Sequence, residues 1–422
     1  MKSIVLTFFF AVCWIAVWGQ TLSPASSEQL VNTDIPPAQF SPKVASAPDG
    51  SYVVIWIDGQ TYGTLKARRY NSSHVPVTGE ITIVASASKY LNIEHWKNGK
   101  YVISYVDGAV LKFHVLDELN VVAPAITVST TVSFDKQDFA IKGDSLAFLY
   151  SRDANKQLYL RGYNLSTNAW INAEVRITEV SGYSYVEAPN IIYHNDGRLT
   201  AIYHLQITTG CCIVERKIMR KTFSSSFVAE IPEYAIWAPG IDNYIGADMD
   251  VSGNSNGEVM IATTHGEYPG TNKLRLWILS STGTFIVNNS ALLTGNSYTW
   301  HEGTAAQLYD NGDYVVGKSL WVNLPNGNAP TPNYEEVYVI YGKNYNQSRT
   351  GILQVNSTSP DEQERPCLAK LPNGGFVVAW TGNGFQGDTR GIYTRAYNAV
   401  SFPGVAFSTN GTYSVSEAGT TA

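Results

Sequence analysis

Charged residues are scarce in this chain of 422. Asp, Glu, Lys and Arg make up 15% of it, against roughly a quarter in an average soluble domain. The basic residues form no cluster and the formal net charge is −6, so nothing could neutralise a run of phosphates, which argues against a DNA or RNA partner. There are only four Cys, and no apolar run after residue 19 reaches the length of a membrane span. Glycine is aperiodic, which excludes collagen, while 44% apolar and 12% aromatic residues exclude disorder. What the chain does have is Tyr, Thr, Ser, Asn and Val, the composition of an all-β extracellular protein.

The N-terminus reads as a signal peptide over residues 1–19. Lys2 supplies a positive start, Ile4 to Trp18 form an apolar run broken only by Thr7, and Val17 and Gly19 are small enough for a cleavage site before Gln20. A membrane anchor would need about 20 apolar residues. The expectation is therefore a chain of residues 20–422, secreted, extracellular or cell-surface associated, without membrane insertion.

A Gly-containing turn followed by an alternating apolar strand recurs seven times: PDGSYVVIW (48–56), KNGKYVISY (97–105), KGDSLAFLY (142–150), NDGRLTAIY (195–203), SNGEVMIAT (255–263), DNGDYVVGK (310–318) and PNGGFVVAW (372–380). Six copies carry Asn-Gly or Asp-Gly, the sequence of a type I′ hairpin, and Gly143-Asp144 inverts the order. Short strands precede and follow several of the hairpins, and a fourth strand closes the unit, so the repeat reads as four antiparallel strands. The pattern predicts an all-β, seven-bladed β-propeller of four-stranded antiparallel blades in a single domain, 20–422. Its repeats run approximately 34–84, 85–130, 131–181, 182–235, 236–293, 294–356 and 357–417. Six or eight blades are the alternatives, since 85–130 and 131–181 diverge most. The segment 28–33, EQLVNT, matches a fourth-strand motif and is expected to close the ring, while TYSVSE at 412–417 could be the outer strand of the last blade or extend past it.

Residues 354–398 contain Val-Asn-Ser, a Pro before an apolar strand, a Gly-rich turn, Phe-Val-Val-Ala-Trp and an Arg-x-Tyr-Asn finish, and 31–71 is a looser copy. These two units, roughly a quarter of the chain, resemble the tandem repeats of large bacterial secreted and surface, adhesin-like proteins. The resemblance implies an adhesion or surface-layer context and brings no catalytic residues.

The loops between second and third strands vary most, so the face they form is the expected binding face. Trp300, His301, Glu302 and Trp321 lie in or beside its long connections, where aromatic planes next to polar groups suit a sugar ring, although anchoring the loop against the blade is the more ordinary use of such a Trp. Six N-x-Ser/Thr sequons, at Asn71, Asn164, Asn288, Asn346, Asn356 and Asn410, fit a glycoprotein. Asn288 and Asn356 are read as ending fourth strands, toward the presumed binding face.

Three cysteines remain after residue 19. Cys211 and Cys212 are candidates for a vicinal disulfide, with Cys367 left as a core thiol or as a partner across the channel mouth. His194, Tyr203 and His204 flank one hairpin and are weak catalytic candidates for proton abstraction in polysaccharide cleavage; ordinary, partly buried strand residues are the stronger reading. The run DMDVSGNSNGE (248–258) begins like a calcium loop, yet Val259 stands where a bidentate acid is needed. No cofactor motif or metal site is read. The sequence thus points to a binding or adhesion module for a glycan or an extracellular protein. Its alternatives are a structural component of a coat, matrix or filament, in which the chain would be a homo-oligomer, and a polysaccharide lyase or hydrolase.

Overall fold

The computed structural model describes residues 22–34, 38–59, 62–88, 90–152, 157–178, 185–209, 212–238, 243–267, 271–296, 303–322, 334–345, 349–357, 362–383, 390–399, 405–407 and 413–415. Seven antiparallel sheets follow one another along the chain, each a meander running outward from an inner strand. The inner strands are Gln39–Ser46, Leu91–His95, Val132–Lys142, Tyr185–Tyr193, Asn243–Gly253, Thr304–Leu308 and Gln363–Lys370 in blades 1 to 7. Seven apolar clusters fill the seven gaps between neighbouring blades; the one joining blades 7 and 1 unites Ala379 and Ile392 with Val54 and Trp56. The architecture is a seven-bladed β-propeller.

The repeated turns differ from the expected type. Only Asn98-Gly99 has positive φ at both central residues, as type I′ requires. At Gly50, Gly197, Gly257, Gly312 and Gly374 the glycine alone is left-handed. There the loop is longer: Gly50 N–H donates to Ala47 and Ala47 N–H to Ser51, a type I turn closed by a left-handed glycine. The Asp or Asn before four of these five glycines has another use. Asp49, Asp196, Asn311 and Asn373 each accept the N–H two residues on, at 2.9–3.0 Å.

Closure comes from the N-terminal side. Gln29–Leu30 pairs with the third strand of blade 7, Gly391–Tyr397, as its outer strand. Tyr413–Val415 pairs instead with Val405–Phe407 in a separate hairpin, so it is not the outer strand of blade 7.

The structure explains the repeated Val-Asn and Arg-x-Tyr-Asn elements. Arg68 of blade 1 donates to the carbonyl of Val31, at the end of the outer strand of blade 7, at 2.6 Å. Arg395 does the same to Val355 of blade 6 at 2.8 Å, Arg161 to Val128 and Lys221 to Ile177 at 2.8 Å. Each cation thus rivets its third strand to the preceding blade. The next residue of the acceptor strand stands in for backbone: Asn32 Oδ1 accepts Ile392 N–H at 2.7 Å, Asn356 Oδ1 accepts Val337 N–H at 3.0 Å, and Thr178 Oγ1 accepts Leu158 N–H at 3.1 Å.

Inner strands have one edge with no strand beside it, and its N–H groups need acceptors. Side chains of the preceding blade supply them. Glu94 accepts Ile141 N–H at 2.9 Å, Asp138 accepts Ile191 N–H at 2.8 Å, Asp250 accepts Ala306 N–H at 2.7 Å and Ser252 accepts Leu308 N–H at 3.1 Å. The calcium-like run is therefore an inner strand whose alternate oxygens bind the next blade. In blades 1, 4 and 7 the residue before the inner-strand proline, Ser41, Ala188 or Arg365, has φ of 46–55° and sits in a β-bulge. A left-handed conformation at a non-glycine costs about 1–3 kcal/mol, and a bulge is where a strand tolerates proline.

Candidate functional site

The last residue of each repeated motif occupies one position of the ring, on the second strand. In five blades it is a buried aromatic: Trp56, Tyr105, Tyr150, Tyr203 and Trp380 pack into the gap toward the preceding blade. Blade 5 has Thr263 there, and blade 6 has Lys318. Lys318 is only 3% exposed. Its Nζ lies 2.8 Å from Asp248 Oδ2 and 3.2 Å from Thr304 Oγ1, and Thr304 donates to the same Asp248 oxygen at 2.7 Å. Thr263 Oγ1 donates to the carbonyl of Asp248 at 3.1 Å. An ion pair thus replaces the aromatic belt at the junction of blades 5 and 6. Taking two charges out of water generally costs more than apolar packing of the same space, so stability alone is a poor reason to keep the pair.

The candidate ligand residues border this junction in sequence. Trp300, His301 and Glu302 lie outside the described residues, and the chain resumes with Gly303 and Thr304. Trp321 is the eighth residue of the strand Tyr314–Val322, three after Lys318, and its backbone pairs with Glu335. Glu335 and Glu336 are both buried. Lys318, and the ion-pair role of Asp248, are not read from the sequence, although the signal is there: DNGDYVVGK ends in Lys where five of its sister motifs end in Trp or Tyr.

The three catalytic candidates do not share a cleft. Tyr203 is fully buried facing blade 3 and donates to Glu233, just as its counterpart Tyr150 donates to Glu174. His204, the next residue of the strand, faces the opposite side. His194, 3% exposed, bridges two blades at the short-turn end: Nδ1 is 3.2 Å from the carbonyl of Gly257 and Nε2 2.7 Å from Thr200 Oγ1. Burial, with Arg198 and Arg220 nearby, lowers its pKa to about 4, so it is neutral at physiological pH.

Among the sequons, Asn71 and Asn164 sit at short turns, their Oδ1 atoms accepting turn N–H groups at 2.9–3.0 Å. Asn288 is exposed but stands near the start of the outer strand Phe285–Asn296, not at its end. Asn356 is 3% exposed and donates to Glu336 besides accepting from Val337, a geometry with no room for a glycan. Asn346 and Asn410 lie outside the described residues, as does Cys211. Cys212 begins the strand Cys212–Phe223, and Cys367 is a buried free thiol with its pKa pushed up to about 12 by burial. Among the described residues no group of three or more His, Cys, Asp or Glu is placed to hold a metal ion, and no helix is long and apolar enough to cross a membrane.

No protein-family model matches the chain, and no curated protein is found as a relative. Solved structures share its architecture. The polysaccharide lyase Uly1 superposes with a TM-score of 0.55 and 10% identity, covering 86% of this chain and 91% of that one. An ulvan lyase of a new polysaccharide lyase family, bound to a sulfated glucuronate–rhamnose unit, gives 0.53 and 10% identity over 90% and 95%. Hydrazine synthase of Kuenenia stuttgartiensis gives 0.50 and 10% identity over 86% and 96%. At these identities the likeness is one of fold, and the same fold serves unrelated chemistries.

Proposed function

We propose that this chain is a secreted glycoprotein propeller that binds a polysaccharide on its loop-bearing face, at the junction of blades 5 and 6. The observation that carries this reading is the buried Lys318–Asp248–Thr304 cluster, which stands where five other blades keep an aromatic belt residue. A buried, fully hydrogen-bonded polar cluster gives a rigid floor of fixed charge. The sequence adds Trp300, His301, Glu302 and Trp321 within four residues of that floor, and tryptophan faces with polar neighbours suit sugar rings. The two polysaccharide lyases of like fold support a carbohydrate as the ligand class.

Cleavage of the bound chain is the second reading, favoured by those lyases and weakened by the burial of Tyr203 and His194. One experiment addresses both. The purified chain is screened on a glycan array and then incubated with the bound polysaccharides while the ultraviolet absorbance of an unsaturated uronate is followed. Binding that is lost in Trp321→Ala, with the thermal midpoint unchanged, supports the binding face. A growing absorbance makes the protein a lyase. A blank array removes the carbohydrate reading and leaves protein adhesion or self-assembly.

A further inference from the structure

The position facing Ile202 across blade 4 holds a side chain unlike its counterparts. Its counterparts in the other blades, each one strand out from the residue before the belt position, are Ala67, Phe113, Leu160, Leu276, Val339 and Thr394. In blade 4 it is Arg220, fully buried at 0% exposure in the gap toward blade 5. Among the described residues the guanidinium has one hydrogen-bond partner, the hydroxyl of Tyr234, 3.0 Å from Nη1. Its Nε and Nη2 have none.

Among the described residues no acidic side chain pairs with Arg220, and three acids of blades 4 and 5 have other partners. Asp196 pairs with Arg198 at 2.7 Å, Glu233 accepts from Tyr203, and Glu258 accepts from Asn254 and Tyr345, both at 2.6 Å. His194, the nearby titratable group, stays neutral and binds Thr200, whose hydroxyl is 3.1 Å from that of Thr222. A second donor in the same gap, the indole N–H of the buried Trp277, is also without an acceptor. Tyr234, which bonds Arg220, packs against the cluster that contains Trp277. Every orphan here is a donor. Glycine at position 283 is part of the arrangement, because a Cβ there would lie 2.3 Å from Arg220 Nη1.

An unpaired, fully buried guanidinium is among the costliest features a core can contain, and a ligand with only acceptor capacity and negative charge removes that cost. We propose that Arg220 binds a small inorganic anion, of halide size, through Nε and Nη2 in the gap between blades 4 and 5. The enclosure sets the size: the side chain has no exposed surface, and Gly283 is already needed to admit Nη1. The site lies apart from the loop-bearing face, since Arg220 reaches the turn 280–284 at the short-turn end. Its role is to lock two blades together.

The test uses the intact chain at fixed ionic strength, with chloride replacing gluconate. The thermal midpoint should rise by about 2 °C for each tenfold increase in chloride above half-saturation, and Arg220→Met should abolish that response. Crystals of the unaltered protein soaked in bromide should show an anomalous peak within hydrogen-bond reach of Nε and Nη2, a readout independent of how the variant folds. A midpoint indifferent to chloride, an equal response in Arg220→Met, or bromide crystals with no halide at Arg220 would each overturn the proposal.

Discussion

Arg68 and Val31 meet across the seam of the ring: a guanidinium on blade 1 donates, at 2.6 Å, to the carbonyl that ends the outer strand of blade 7. The same bond recurs between blades 7 and 6 through Arg395 and Val355. A hydrogen bond from a charged donor contributes about 1.5–3 kcal/mol. Arg68→Met, which keeps the apolar stem, should lower stability by about that much in urea unfolding. An unchanged midpoint would show that the pairing of Gln29–Leu30 holds the seam without it.

The inner-strand carboxylates make stability depend on pH in an unusual direction. Burial, with the Asp250 charge adding to it, pushes Asp138 up to about 7, and burial likewise raises Glu94 and Asp250. An acid raised in the folded state keeps its proton while the unfolded chain has lost it, so the folded state binds more protons between the ordinary value and the raised one. The Asp138 contribution is complete below about pH 4 and is lost as pH rises toward 7. The thermal midpoint should fall over that window. Asp138→Asn, whose oxygen still accepts from Ile191, should flatten the slope, and a wild-type midpoint that rises instead would refute the assignment.

Asn356 should carry no glycan in a host that modifies Asn71 and Asn164, because its amide is committed to Glu336 and Val337. Peptide mapping by mass spectrometry decides this directly, and a sugar found on Asn356 would mean the strand end opens before it folds. Asn356→Ala should destabilise by about 1–3 kcal/mol, leaving a buried N–H unanswered.

His194 should behave as a clasp. His194→Ala is expected to lower the thermal midpoint by several degrees through two lost hydrogen bonds, while glycan binding at temperatures well below the midpoint stays unchanged. Lost binding in a fully folded His194→Ala protein would return this residue to the functional site.

The ring was legible because its signals are local. A glycine turn followed by an alternating apolar strand declares itself within nine residues, and seven copies leave little architectural choice. Turn type was misread because Asn-Gly and Asp-Gly also suit the longer loop, in which the Asx side chain caps the N–H two residues on. Three features stayed hidden because their partners are distant in sequence. Asp248 and Asp250 look like half a calcium loop until the next blade supplies their partners, and the Lys at the end of DNGDYVVGK has a meaning only beside Asp248 of blade 5. Asn356 looks like a sequon, and only the neighbouring strand of its own blade shows its amide to be committed.

Ring closure also has a consequence for biosynthesis. Ile392 donates to Asn32 across 360 residues of sequence, so the first described strand has no mate until nearly the whole chain has emerged from the ribosome. Until then Gln29–Leu30 has no strand to pair with and the ring stays open, and uncovered strand edges invite association with other chains. Contacts this distant in sequence form slowly. Chains truncated before the seventh blade are therefore expected to be cleared or to aggregate, and the seam acts as a proofreading step that only a chain carrying the seventh blade passes.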